Sequence, residues 1–173
     1  VYIISNKLNR RKKMKIQKIF VVLFLICCFL FGALTTKAAD ERLGTVVDGS
    51  LLVEGMEVEG FTQTMARGTY LGAGSGKLTN NGNHSVNVFG NTTCNKICDE
   101  VKVTLHLQRL EGNSWATIYT LGPKVAKNTN YVSNSKNYTI TGGYYYRIKG
   151  SHTAIKGSTA ESTASYTNGL WIK

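Results

Sequence analysis

GGYYYRIKGSHTAI, Gly142 to Ile155, is the stretch whose reading decides the fold. Two glycines break the backbone, and the residues that follow alternate in character. Tyr144, Tyr146, Ile148, Gly150, His152 and Ala154 make one set; Tyr145, Arg147, Lys149, Ser151 and Thr153 make the other. Side chains alternate across a sheet, so the first set reads as core-facing and the second as solvent-facing. The stretch is therefore expected to be a long, central, antiparallel strand entered through a tight corner. Tyr146 and Ile148 are expected in the core, with Tyr145 and Arg147 exposed. His152 falls on the inward side unless Gly150 introduces a bulge, and reads as a satisfied, half-buried histidine rather than a ligand.

Working outward, Glu100 to Glu111 is the clearest neighbour. Val101, Val103, Leu105 and Leu107 face one way, and Lys102, Thr104, His106 and Gln108 the other. Glu111-Gly112-Asn113-Ser114 reads as a turn into a partner strand, which Gly122-Pro123 should end because proline cannot donate to a ladder. Asn81-Gly82 is a hairpin signal, since both residues tolerate positive φ. Residues 127–137 read as polar loop, and Asn168-Gly169 breaks the last strand. Strands are expected near 70–79, 84–92, 101–110, 115–121, 138–141, 144–155 and 162–172. About seven strands with turn signals between them predict an all-β, antiparallel, immunoglobulin-like sandwich of two sheets; a small β-barrel is the alternative architecture. In such sandwiches a corner tyrosine bonds back to the preceding loop, a role that the Gly142-Gly143 corner assigns to Tyr144. No helix of ordinary length fits after residue 38, and no internal repeat is visible.

The formal charge of +11 over 173 residues is unevenly placed. Residues 1–38 hold 8 of the 21 Lys and Arg and no acid, and include the apolar run 19–34, IFVVLFLICCFLFGAL. Basic flank, apolar run and the small residues of Thr36-Lys37-Ala38 follow the order of a secretory signal peptide, with cleavage after Ala38. Met14 would open a signal of ordinary length. The run is shorter than the roughly 20 residues a spanning helix needs, which favours cleavage over an uncleaved anchor, with membrane contact expected only during export. Residues 39–60 carry Asp40, Glu41, Asp48, Glu54, Glu57 and Glu59 against Arg42, and read as an acidic linker with a short edge strand at Leu51–Val53. Residues 61–173, the expected sandwich domain, hold 12 bases and 4 acids. That balance suits polyanions, but the domain has no basic helix or Lys/Arg run with which to grip a duplex, so nucleic acid is not an expected partner.

Cys94 and Cys98 are the only cysteines after the apolar run. An exported CxxxC pair is expected as a disulfide; a closed zinc site would need two more ligands, and His84, His106 and His152 lack motif spacing. Neither metal nor other cofactor is called for. Catalysis needs a nucleophile or acid beside an oriented base, and no such spacing occurs. Paired carboxylates occur only as the neighbours Asp40-Glu41 and Asp99-Glu100, which is not the facing arrangement glycoside hydrolysis requires. An enzyme is therefore not expected. What remains is a sheet face displaying His106, Gln108, Tyr145, Arg147 and Lys149, with Trp171 beside it if the last strand keeps its alternation. Aromatic and cationic side chains on a flat face suit sugars or anionic wall polymers; an ordinary solvated face has the same composition.

Arg67-Gly-Thr-Tyr-Leu71, the glycine-punctuated hairpin ending in Cys94, Val101-x-Val-x-Leu-x-Leu-Gln108, Trp115 and Gly143-x-Tyr-Tyr-Arg-x-x-Gly-x-His152 carry a resemblance. Over roughly residues 61–173 the chain resembles a family of uncharacterised, exported, small β-rich proteins of Gram-positive bacteria. The resemblance implies export and a β fold, and no reaction. Two functional expectations from different classes follow. One is a secreted binding module for a cell-envelope glycan, an anionic polymer or another extracellular protein. The other is a secreted, bacteriocin-like antagonist of neighbouring cells.

Overall fold

The computed structural model describes residues 47–62 and 68–173. The expected signal peptide and the start of the acidic segment lie outside the described residues. The described chain is all-β, with strands β1 (Leu52–Val53), β2 (Glu57–Phe61), β3 (Leu71–Gly82), β4 (Ser85–Glu111), β5 (Ser114–Thr139), β6 (Tyr144–Lys156), β7 (Thr159–Tyr166) and β8 (Gly169–Ile172). They form one sheet in the order β1-β8-β6-β4-β3-β2, with β5 paired to β4 and β7 to β6.

The hairpin of β4 and β5 organises this sheet. The first part of β4 pairs with β3 from Ser85 to Cys94, the second part with β6 from Glu100 to Arg109, and β5 accompanies both. Between them Thr93 lies opposite Tyr131 and Cys98 opposite Thr129, so Cys94 to Ile97 bulge out against Asn130. A bulge bends a strand and raises its twist. Here it curls the sheet so that the inner faces of its two parts meet. The packing is close: a β-carbon on Gly90 would lie 2.5 Å from Leu105 Cδ2, and one on Gly74 would lie 2.2 Å from His152 Cγ. Val58, Leu78, Val86 and Val88 from one part, and Val103, Leu105, Leu107, Tyr146, Ile148 and Leu170 from the other, fill the space between. Each large side chain buried in this way contributes about 1.5–3 kcal/mol.

The immunoglobulin-like arrangement of two separate sheets is not what forms. Two strands run unbroken through both parts, giving a curled, open, half-barrel sheet. The expected strands 84–92 and 101–110 are one strand, because the cysteine segment is a bulge and not a connection. Residues 127–137 are strand as well, paired to β4 except at Asn128 and Asn130 beside the bulge, and Gly122-Pro123, a cis peptide, lies inside β5 instead of ending it. Proline is tolerated there because β5 pairs only with β4 among the described residues, which leaves its other edge without a ladder. The β3–β4 turn sits two residues later than expected. Asn83 (φ 49°) and His84 (φ 57°) are its left-handed central residues, and Asn81 and Gly82 still belong to the strand end.

Tyr146 and Ile148 are fully buried. The corner bond exists but belongs to Tyr146, whose hydroxyl donates to the Thr141 carbonyl. Tyr144 instead lies 38% exposed, with the Arg109 guanidinium over its ring. Tyr144 keeps the parity of Tyr146, whose ring it meets edge-on at 6.5 Å, but as the first residue of β6 it is left exposed. Cys94 and Cys98, expected as a disulfide, are two free, buried thiols. Burial, followed by the neighbouring Cys98, pushes the Cys94 thiol up to about 12, while the Cys98 thiol donates to the Lys96 carbonyl at 3.4 Å.

Candidate functional site

The outer face of β4, β6 and β8 gathers the six side chains singled out from the sequence. Cross-strand register places His106 opposite Lys149, Gln108 opposite Arg147, and Tyr145 opposite Trp171. Their environments divide them into two groups.

Arg147 and Gln108 are engaged inside the protein. The Arg147 guanidinium lies 4.3 Å from the Trp115 ring centre and 5.3 Å from that of Tyr166. Its Nε donates to Gln108 Oε1 at 2.9 Å, and its Nη1 to the Gly49 carbonyl at 3.0 Å. Gln108 Nε2 donates in turn to Thr117 Oγ1 at 3.2 Å, and Gln108 is buried. Burial draws the Arg147 pKa down from the usual arginine range, against the opposite pull of Tyr166 and Asp48. The expectation of an exposed Arg147 is therefore corrected: it clamps the segment before β1 onto the sheet. Trp115 and Tyr166, the two rings that hold it, carry no signal of this role in the sequence, since they lie on strands whose register only the fold defines.

Tyr145, Trp171, Lys149 and His106 remain half-exposed. The Tyr145 and Trp171 rings lie 4.9 Å apart at 58°. Lys149 Nζ stands 5.8 Å from the Tyr166 ring centre. His106 Nδ1 meets Thr120 Oγ1 at 3.0 Å, and burial, followed by the Lys149 charge, lowers its pKa below the ordinary value. At neutral pH His106 is thus an uncharged hydrogen-bonding group, and Lys149 is a cation on the same strand face as the ring pair, four residues further along β6.

Two clefts open near this end of the sheet. One, of about 570 Å³, is lined by Trp171 together with Glu54, Met56, Asn80, Asn83 and His84. The other, of about 700 Å³, lies between the segment before β1 and Tyr166 of β7.

His152 is fully buried, as are Thr92 and Ser165 beside it. The Thr92 hydroxyl donates to the Lys102 carbonyl, so it accepts from His152 Nδ1–H at 2.9 Å, while Ser165 donates to Nε2 at 2.8 Å. A serine hydroxyl on an imidazole is the geometry of a nucleophile and its base. Here both are sealed in the core, and the trio cross-links β4, β6 and β7. Among the described residues no cluster of three or more His, Cys, Asp or Glu is placed to hold a metal.

No curated protein and no solved structure matches this chain. A family profile does, along residues 38–170, and on that span the chain belongs to DUF6147, a family of unknown function.

Proposed function

We propose that this is an exported binding module that takes anionic, glycan-rich polymers of the cell envelope on the outer face of β4, β6 and β8. The observation that carries the reading is the Tyr145–Trp171 ring pair, 4.9 Å between centres, on the same strand face as Lys149. Rings offer sugar faces a stacking surface, and an ammonium group offers phosphate or carboxylate a counter-charge. The excess of 12 bases over 4 acids in residues 61–173 favours the same class of ligand.

Sedimentation of the purified protein with isolated cell walls tests it, at low and at high salt. Lys149→Glu is expected to weaken sedimentation at low salt, because an exposed charge acts over about a Debye length, ~8 Å at physiological ionic strength. Tyr145→Ala is expected to weaken it at both. Arg147 is unsuitable for this purpose, since its loss would dislodge the segment it holds. Wild-type protein that leaves the walls in solution but stops the growth of neighbouring cells would replace this reading with the antagonist one.

A further inference from the structure

We infer that the cleft between the β1–β2 connection and the β3–β4 turn is a second binding site, built for the ring of an uncharged sugar. Its volume, about 570 Å³, is within the range of small-ligand sites. Trp171 lines it, so one aromatic residue serves both the outer face and the cleft. Glu54, Asn80, Asn83 and His84 line the same cleft, and each carries a side chain able to exchange hydrogen bonds with hydroxyls. Asn80 Oδ1 is taken by the Gly82 N–H at 2.9 Å, leaving its NH2 to offer. A carboxylate and amides sharing a cleft with an indole match the alternating apolar faces and hydroxyl rim of a pyranose.

The backbone supplies an independent observation. The two central residues of the β3–β4 turn both have positive φ, a conformation for which asparagine followed by glycine is the favoured pair. The second position holds His84, at φ 57°, where its β-carbon is disfavoured. The imidazole lies against the corner of β6: a β-carbon on Gly142, besides striking the Lys173 carbonyl at 2.3 Å, would come within 3.0 Å of His84 Nε2. A residue kept in a costly conformation at the wall of a cleft points to use of its side chain there.

This inference rests on the reading of the module as glycan-binding, but its test is separate. The full chain is screened on an array of neutral oligosaccharides. The best-bound one is then titrated by tryptophan fluorescence in about 1 M salt, where charge attraction is confined to ~3 Å. Saturable binding is expected, with a change in Trp171 emission. His84→Gly is expected to raise the melting temperature by a few degrees, because it relaxes the turn, and to weaken binding by about fivefold or more. Glu54→Gln, at an exposed position, should weaken binding with the melting temperature unchanged. An array on which no neutral sugar binds, or a His84→Gly protein that binds as tightly as wild type, overturns the proposal. If cell-wall sedimentation persists in that event, the outer face stands and only the cleft falls; if it too is absent, both readings fall.

Discussion

His152 shows what one side chain demands of its surroundings. Its ring occupies the space that β-carbons on Gly74 and Gly150 would need, and burial holds its pKa down at about 4. In the unfolded chain the same imidazole takes up a proton near pH 6.5. Between those values the unfolded state binds more protons, so stability falls as pH falls from about 6.5 to 4, by about 3 kcal/mol in all. Above that window the contribution is fully present. Urea unfolding across the range is the measurement, and in His152→Gln the slope assigned to this group should vanish. A wild-type midpoint that is flat from pH 7 to 4 would contradict a neutral buried imidazole. Alternation along Gly142–Ile155 was enough to turn this residue inward. What could not be read is that Gly74, in another strand, makes room for it, because a glycine's purpose is visible only once its neighbour across the layer is known. The same limit transferred the corner bond from Tyr144 to Tyr146.

The long hairpin of β4 and β5 is the element the sequence conceals. Its inward residues alternate legibly from Val101 to Leu107, and the pattern stops at Cys94–Ile97, where four residues arch out against one. Such a break in periodicity looks like a loop, and residues 127–137 look like one too, because apart from Val132 their side chains are not buried and so need not be apolar. The thiols at the bulge are informative for the same reason. Cys94 is driven toward its protonated form mainly by burial and then by Cys98, and the thiolate is the reactive species. At pH 8 iodoacetamide is therefore expected to leave Cys94 unmodified in the folded protein and to alkylate both cysteines once it is unfolded. An intact mass two hydrogens lighter before any treatment would mean that the pair is oxidised.

On the scale of the molecule, the candidate face shows how far composition reaches. Register sets all six residues on one side of the sheet, with Gln108 buried there, since parity and register are properties of extended chains. Their availability was not legible, because it depends on Trp115, Tyr166 and Gly49, which converge on Arg147 from three separate parts of the chain. Arg147→Ala removes two ring contacts and two charged hydrogen bonds, and a loss of about 2–4 kcal/mol is expected. Limited proteolysis should then cut within residues 47–56 faster than in wild type. If that segment keeps its wild-type resistance, the clamp is not what secures it.

The parallel pairing of β1 with β8, Leu52 beside Gly169 and Val53 beside Leu170, has a kinetic consequence. The first described strand finds its place only against the last, across almost the whole length of the domain. Contacts of such high order close late and make folding slow, because chain entropy is lost before the contact is gained. A chain emerging from a narrow channel with its amino end first would hold β1 unmatched until β8 had also come through. The pairing of β1 would then be the last step in completing the sheet.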